Sequence, residues 1–374
     1  MKKILFVLPT LTVGGMEKVL VNLVNLLHED KYEIHIKTIY DHFDLAKDLR
    51  KGIKVSSFYK SSKNKKIDYW KIRVYTFLLK KVSPKILYKL FIKEKYDVEI
   101  GFFRGASIKL ISGSNNLKSK KLAWVHSDFT RCTGIFDWFK NEEQTIDAYK
   151  KFDNIVCVSK YTKEKFIERM GIKEKVIVRY NINLCKNIIL QSNEDIEKDI
   201  IDDKFNVCTV GRIVEAKGFD RLLRVHKRLI DENINHNLII VGDGPQRYNL
   251  EKYINENNLS TTVKMVGQQN NPYKYIAKCD LFVCSSRWEG FSTVVSEAVI
   301  IGTPVITTRV SGVEELFLDN VYGLIVDNDE EALYKGIKTM VTDKQVYSKY
   351  KAKVKERSNF FDEGKGIKQI EMLF

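Results

Sequence analysis

The sequence predicts two α/β domains, each an open parallel sheet with helices on both faces. Short apolar runs alternate with helix-length amphipathic segments almost throughout, the pattern of strands joined by crossover helices. The alternation runs in two series, broken at Asn181–Asp203, a polar, acidic and aperiodic stretch. A chain of 374 residues also suits two domains of roughly 100–200 residues each.

The elements follow in order. Lys3–Leu8 reads as a buried strand. Met16, Val19, Leu20, Leu23, Val24 and Leu27 then recur at helical spacing, giving a helix over Gly15–His28 behind a glycine loop. Glu33–Tyr40 is the next strand. In the second series strands are expected at Asn206–Val210, Asn237–Val241, Val263–Val266, Asp280–Cys284, Pro304–Thr307 and Gly323–Val326. Helices are expected at Lys217–Asn233, Gln246–Asn258, Tyr273–Ala277, Ser292–Ile301 and Glu330–Met340. Residues 1–182 thus form the first domain, 183–203 a linker and 204–360 the second domain. A cleft between two such sheets is a natural ligand site.

Composition excludes several classes. Apolar residues at 44% rule out a disordered chain, and no apolar run is long enough to cross a membrane. Ile4–Leu8 is too short for a secretory core segment, and the six cysteines form no Cys-x-x-Cys pair. These features together suit a cytoplasmic protein with reduced thiols. Net charge is +15, of which +10 falls in Lys60–Lys95, where Tyr69, Trp70, Phe77, Leu78, Leu79 and Phe91 are interleaved with the basic residues. Basic and apolar side chains so mixed suit an anionic bilayer surface. A helix pair packed on the domain, its lysines merely solvated, would give the same pattern.

The residues suited to chemistry cluster at strand ends. After the strand ending near Cys284, a loop carries Glu289 and a helix starts near Ser292. The backbone N–H groups of Phe291, Ser292 and Thr293 would be unpaired there, which makes an anion site. Glu297 lies further along that helix with Thr293, Val294, Ile300 and Ile301 as its neighbours. A carboxylate in such surroundings needs a partner. Arg212 and Lys217, five apart across a turn, could both reach a diphosphate above the strand end. His126 ends the run Leu122–Val125 with Asp128 following, and is either a satisfied core residue or a donor at a ligand. Gly14 and Gly15 let backbone approach a ligand or serve a plain strand-to-helix turn.

The spacing Glu289-x7-Glu297, within E-G-F-S-T-V-V-S-E-A and followed by G-T-P-V, resembles the E-x7-E motif of the large retaining glycosyltransferase family 4, which has the GT-B fold. Four further motifs resemble that family in order: P-T-L-T-V-G-G-M-E-K at Pro9–Lys18, W-V-H-S-D at Trp124–Asp128, V-G-R-I-V-E-A-K-G at Val210–Gly218 and I-V-G-D-G-P at Ile240–Pro245. The resemblance implies two Rossmann-like doubly wound domains facing across a cleft, with a C-terminal helix over 361–374 packing back on the first. It implies a retaining, metal-independent transferase of hexosyltransferase type that moves a sugar from a nucleotide-sugar, expected to be a UDP-sugar, to a hydroxyl. The acceptor would be a glycan or lipid-linked glycan of cell-envelope or capsular polysaccharide synthesis, with the enzyme peripheral on the inner face of the membrane. No cofactor is implied, because the nucleotide-sugar is a co-substrate.

The same resemblance assigns roles. Glu297 would hold the ribose hydroxyls and Glu289 the donor sugar, with His126 close to the anomeric carbon. Arg212 and Lys217 would stabilise the leaving diphosphate. Gly15, Gly211, Gly290, Phe291, Ser292 and Thr293 complete the donor side, and Gly14 and Gly15 face the acceptor. The sequence departs from the commonest family form at Ser292, where many members have Gly or Pro.

Two other functions share parts of this pattern. A GT-B UDP-sugar epimerase would need no acceptor. A nucleic-acid-binding protein would explain the basic charge, but no such motif is present. Gly242–Pro245 lacks a full G-x-G-x-x-G, no phosphate-binding G-x4-G-K-[ST] loop occurs, and Asp327 and Asp329 read as a helix cap rather than a metal site.

Overall fold

The computed structural model describes residues 1–62, 64–197 and 200–374. Lys63 of the basic segment, and Lys198 and Asp199 of the expected linker, lie outside the described residues. The chain divides into two compact units, residues 1–182 with 364–374, and residues 183–363.

Among the described residues the first unit holds a seven-stranded sheet: β1 (Lys2–Leu8), β2 (Tyr32–Thr38), β3 (Lys54–Ser57), β4 (Val98–Gly101), β5 (Lys120–Val125), β6 (Asn154–Cys157) and β7 (Val176–Val178). Every pair is parallel, in the order β3-β2-β1-β4-β5-β6-β7. Ile4, Leu5, Phe6 and Val7 are completely buried, as a strand covered by helices on both faces requires. The order reverses between β1 and β4, so the loops after these strands leave in opposite directions. That divergence opens a crevice at their carboxyl ends.

The second unit repeats the scheme with β8 (Phe205–Val210), β9 (His236–Val241), β10 (Val263–Gly267), β11 (Leu281–Cys284), β12 (Val305–Thr308) and β13 (Leu324–Val326). These are again parallel, in the order β10-β9-β8-β11-β12-β13, and the reversal lies between β8 and β11.

Three elements differ from the expectations. The helix expected from Lys217 begins at Phe219 instead, after a 3-10 turn over Glu215–Lys217 and Gly218 at φ 64°. A side chain at Gly218 would meet the Ser285 carbonyl oxygen at 2.2 Å, so only glycine lets this turn lie against the end of β11. The linker is not wholly irregular. Cys185–Ser192 is a helix whose Ile188 packs with Tyr273 and Ile300 of the second unit; a single buried apolar residue leaves no helical period in the sequence. The terminal helix spans Glu363–Glu371, and its first-unit contacts include Arg179 Nε donating to the Gln369 carbonyl at 3.0 Å and Lys2 Nζ donating to that of Phe374 at 2.9 Å.

The basic segment forms two helices, Lys65–Lys81 and Pro84–Phe91. Leu79, expected on the bilayer-facing side, is 1% exposed, and Phe91 stacks on Phe58 and Tyr75. The helices need an inward face to dock on the sheet, and these two residues belong to it together with the buried Leu87 and Tyr88. Trp70, Phe77 and Leu90 remain exposed at 63%, 59% and 57%. One basic segment therefore has both a packed and an open apolar side.

Candidate active site

In the second unit two loops meet at the carboxyl ends of β8 and β11. Gly211–Gly218 follows β8 and Ser285–Ser292 follows β11. They are laced together. The Arg287 N–H donates to the Ala216 carbonyl at 2.7 Å, and the Ser285 hydroxyl donates to that of Lys217 at 2.9 Å. Arg221, on the helix Phe219–Asp231, is only 5% exposed; its Nη2 donates to the carbonyls of Ser285 at 2.7 Å and Ser286 at 2.8 Å. The Arg287 guanidinium grips Asp220 through two parallel bonds of 2.7 and 2.8 Å. Those bonds hold the Asp220 carboxyl down at about 2.

This frame sets the charged centre. Lys217 Nζ donates to Glu289 Oε1 at 2.5 Å, and the Ser286 hydroxyl donates to the same oxygen at 2.7 Å. The two charged side chains are 23% and 12% exposed, open to a ligand while largely shielded from water. Burial works against the Lys217 charge, but the Glu289 carboxylate outweighs it and holds the ammonium above its usual range. Arg212 lies exposed on the turn after β8 and forms no ion pair among the described residues. The two expected diphosphate cations thus stand in different states, one anchored to a carboxylate and one in solvent.

The helix Thr293–Ile301 starts at the same edge. Ser292 is its N-cap but makes no side-chain cap bond, so no hydroxyl competes for the first N–H groups. Gly290 and Phe291 lead into it. The Phe291 ring covers Gly312, where a side chain would stand 2.5 Å away. Glu297 is 6% exposed, and the Tyr273 hydroxyl donates to its Oε1 at 3.1 Å. The partner that the apolar neighbours of Glu297 demanded therefore comes from the helix Tyr273–Lys278, whose sequence gave no sign of it. Gly211 turns its carbonyl onto Gly242, which has no room for a Cβ. Asp329 caps the helix Glu330–Thr342 by accepting from the Ala332 N–H at 2.8 Å, and Asp327 lies 3.5 Å from Arg309.

In the first unit His126 follows β5. It is 8% exposed, its ring packs 4.7 Å from that of Phe102, and its Nε2 is buried without a hydrogen-bond partner among the described residues. Burial pushes it down to about 4, so the ring is neutral at neutral pH. It lines a cavity of about 90 Å³ with Met16, Arg104 and Ser127, and an orphaned nitrogen there marks a place for a polar ligand atom. Next to it a cavity of about 420 Å³ shares Phe103 and Arg104 and adds Tyr40, Gly105 and Trp138. Sequence reading missed Arg104, whose Nη1 donates to the Ser127 hydroxyl at 3.0 Å. Asp128 is committed elsewhere: it accepts from the Thr130 N–H and hydroxyl and, at 3.0 Å, from the Tyr161 hydroxyl. Gly14 caps the helix Gly15–Leu26, and Glu17 folds back over it, with Oε2 only 2.3 Å from where a Cβ would lie.

Two open parallel sheets, each gathering charged or polar side chains at its switch point, make up the GT-B architecture. Comparison with known proteins agrees. Residues 13–182 match the family model described as Glycosyltransferase Family 4 and residues 191–357 the one described as Glycosyl transferases group 1, so each unit is similar in sequence to a glycosyltransferase domain family. A Campylobacter jejuni N-acetylgalactosamine-N,N′-diacetylbacillosaminyl-diphospho-undecaprenol 4-alpha-N-acetylgalactosaminyltransferase is 37% identical over 220 residues, 58% of either chain. The lipopolysaccharide core biosynthesis glycosyltransferase LpsE of Rhizobium meliloti is 30% identical over 53% of this chain and 56% of its own. The chain thus spans a little over half the length of these relatives. In fold it is similar to Anabaena Alr3699/HepE in complex with UDP, with a TM-score of 0.77 at 19% identity over 99% of this chain and 98% of the other.

Proposed function

We propose that the protein is a retaining glycosyltransferase that moves a sugar from a UDP-sugar to a hydroxyl of a glycan or lipid-linked glycan, in cell-envelope or capsular polysaccharide synthesis. The observation that carries this is the Lys217–Glu289–Ser286 cluster beside the uncapped start of the helix Thr293–Ile301, with Glu297 buried one and a half turns further on. Breaking the glycosyl–phosphate bond builds negative charge on the diphosphate. Lys217 and the helix N-terminus are fixed cationic partners for that charge, and a site already organised loses nothing to rearrangement as it forms. Arg212, exposed and without an ion pair among the described residues, adds a second cation. Glu289 orients the donor sugar and Glu297 the ribose hydroxyls; Gly15, Gly211 and Gly290 give the donor close backbone approach. His126, neutral and with an unsatisfied nitrogen, serves the reacting sugar. No metal is needed where cations and a helix end supply the countercharge.

Retention follows from the acceptor attacking on the face the diphosphate leaves, its proton passing to a phosphate oxygen. Relatives named for lipid-linked and lipopolysaccharide acceptors support an acceptor at a membrane. The open apolar side of the Lys60–Lys95 helices, set among basic residues, is suited to hold the enzyme there, on the cytoplasmic face. The test is proton NMR of the product formed from an α-linked UDP-sugar. An α-linked product, formed equally well in EDTA, is expected; a β-linked product overturns the mechanism, and activity lost to EDTA and restored by Mn²⁺ overturns the metal-free site.

A further inference from the structure

A second anion-suited site stands in the first unit, beside the helix that follows β4. The helix Ala106–Ser112 is buried along its whole length, and Lys109, in its middle, is 3% exposed. A buried ammonium is costly unless it is paired. Yet no carboxylate pairs with Lys109 among the described residues. Its one hydrogen bond there is to the Lys80 carbonyl at 2.6 Å, and the Phe139 ring lies 5.7 Å away. An ammonium has three protons to donate, so two are left over.

Lys109 borders a pocket of about 360 Å³ whose other cations are Lys80, Lys81, Lys140 and Lys151. Asp147 is the one carboxylate along this pocket, and it lies 3.6 Å from Lys150. The helix Pro84–Phe91 also begins here, and its N-cap Ser83 makes no side-chain cap bond. The carbonyl that closes the preceding helix is taken by Lys109 itself. Positive charge from five side chains and a helix start therefore meets, among the described residues, a single carboxylate that is itself paired with Lys150.

We propose that this pocket binds a phosphate-bearing anion, free in solution or as a lipid headgroup, with Lys109 at its floor and Lys80, Lys81, Lys140 and Lys151 around it. The site does not depend on glycosyl transfer. Burial pushes Lys109 down to about 8, and an anion beside it restores the charged form, so binding near pH 8 takes up a proton.

Calorimetric titration of the full chain with inorganic pyrophosphate, in the presence of saturating UDP, tests the proposal. The wild type is expected to bind with proton uptake at pH 8.5, read from buffers of different ionisation heat. K140E/K151E, a change of two exposed side chains, is expected to bind at least tenfold more weakly, and K109M to lose the proton uptake. Sedimentation with phosphatidylcholine vesicles carrying phosphatidic acid, reversed by pyrophosphate, assigns the site to a lipid headgroup. Pyrophosphate binding without sedimentation assigns it to a soluble anion. No pyrophosphate binding by the wild type, or equal binding by K140E/K151E, overturns the proposal.

Discussion

Lys217 and His126 are prepared in opposite ways for the roles proposed for them. The ammonium is kept charged by a carboxylate 2.5 Å away, whereas the imidazole is kept neutral by burial. Lys217→Ala removes a countercharge needed most as the diphosphate departs, so kcat should fall on the order of 100-fold while UDP affinity falls less. His126→Ala should also lower kcat, yet leave UDP affinity within twofold of wild type. Steady-state kinetics with a UDP-binding assay separate the two; a His126→Ala protein that no longer binds UDP would move this residue off the sugar. That Lys217 and Glu289 lie on the loops after β8 and β11 was legible in the sequence, because the apolar runs mark where those strands end. Tyr273 and Arg221 were not, since a partner from another helix leaves no local signal.

At the scale of elements, hidden polar chains matter as much as the loops. In the second unit the Thr262 hydroxyl meets His226 Nε2 at 2.9 Å, His226 Nδ1 meets His236 Nε2 at 2.9 Å, and His236 Nδ1 meets the Ile234 carbonyl at 2.9 Å. With each ring neutral, every proton points one way along the chain; protonating His236 sets two N–H groups face to face, and protonating His226 forces the Thr262 hydroxyl to turn from donor to acceptor. Burial and its neighbour push His226 down to about 3 and burial lowers His236. A histidine depressed in the folded state contributes stability that is present above the unfolded value near 6.5 and is lost as pH falls toward 3. Urea denaturation should therefore show a loss of about 2 kcal/mol from His226 alone by pH 5. His226→Gln should flatten that slope, and an unchanged slope would remove the pair from the acid response. In the second unit the strands and most helices were legible from apolar periodicity, whereas in the first the reading reached only the opening strand, helix and strand and the run Leu122–Val125. The helix Cys185–Ser192 and the late start at Phe219 were not legible, because one buried apolar residue and one left-handed glycine decide them.

For the molecule as a whole, the proposed function divides the labour between the units as donor and acceptor domains and gives the basic helices of the first the task of holding it at a membrane. Sequence reading saw +10 in Lys60–Lys95 but not which apolar residues face out, since charge density does not say which face of a helix docks. Trp70, Phe77 and Leu90 do. Wild type should pellet with phosphatidylglycerol vesicles at low salt and be released at high salt. A Trp70→Ser, Phe77→Ser, Leu90→Ser variant should stay in the supernatant with UDP affinity unchanged; equal pelleting by both would leave the segment a solvated face. All of this rests on the second unit being a nucleoside-diphosphate site. Isothermal titration of UDP into wild type and Glu297→Ala tests that most directly. The wild type should bind, and the variant, folded but lacking the carboxylate for the ribose hydroxyls, should bind about 1–3 kcal/mol more weakly. Failure of the wild type to bind UDP, or equal affinity in the variant, would contradict the account at its centre.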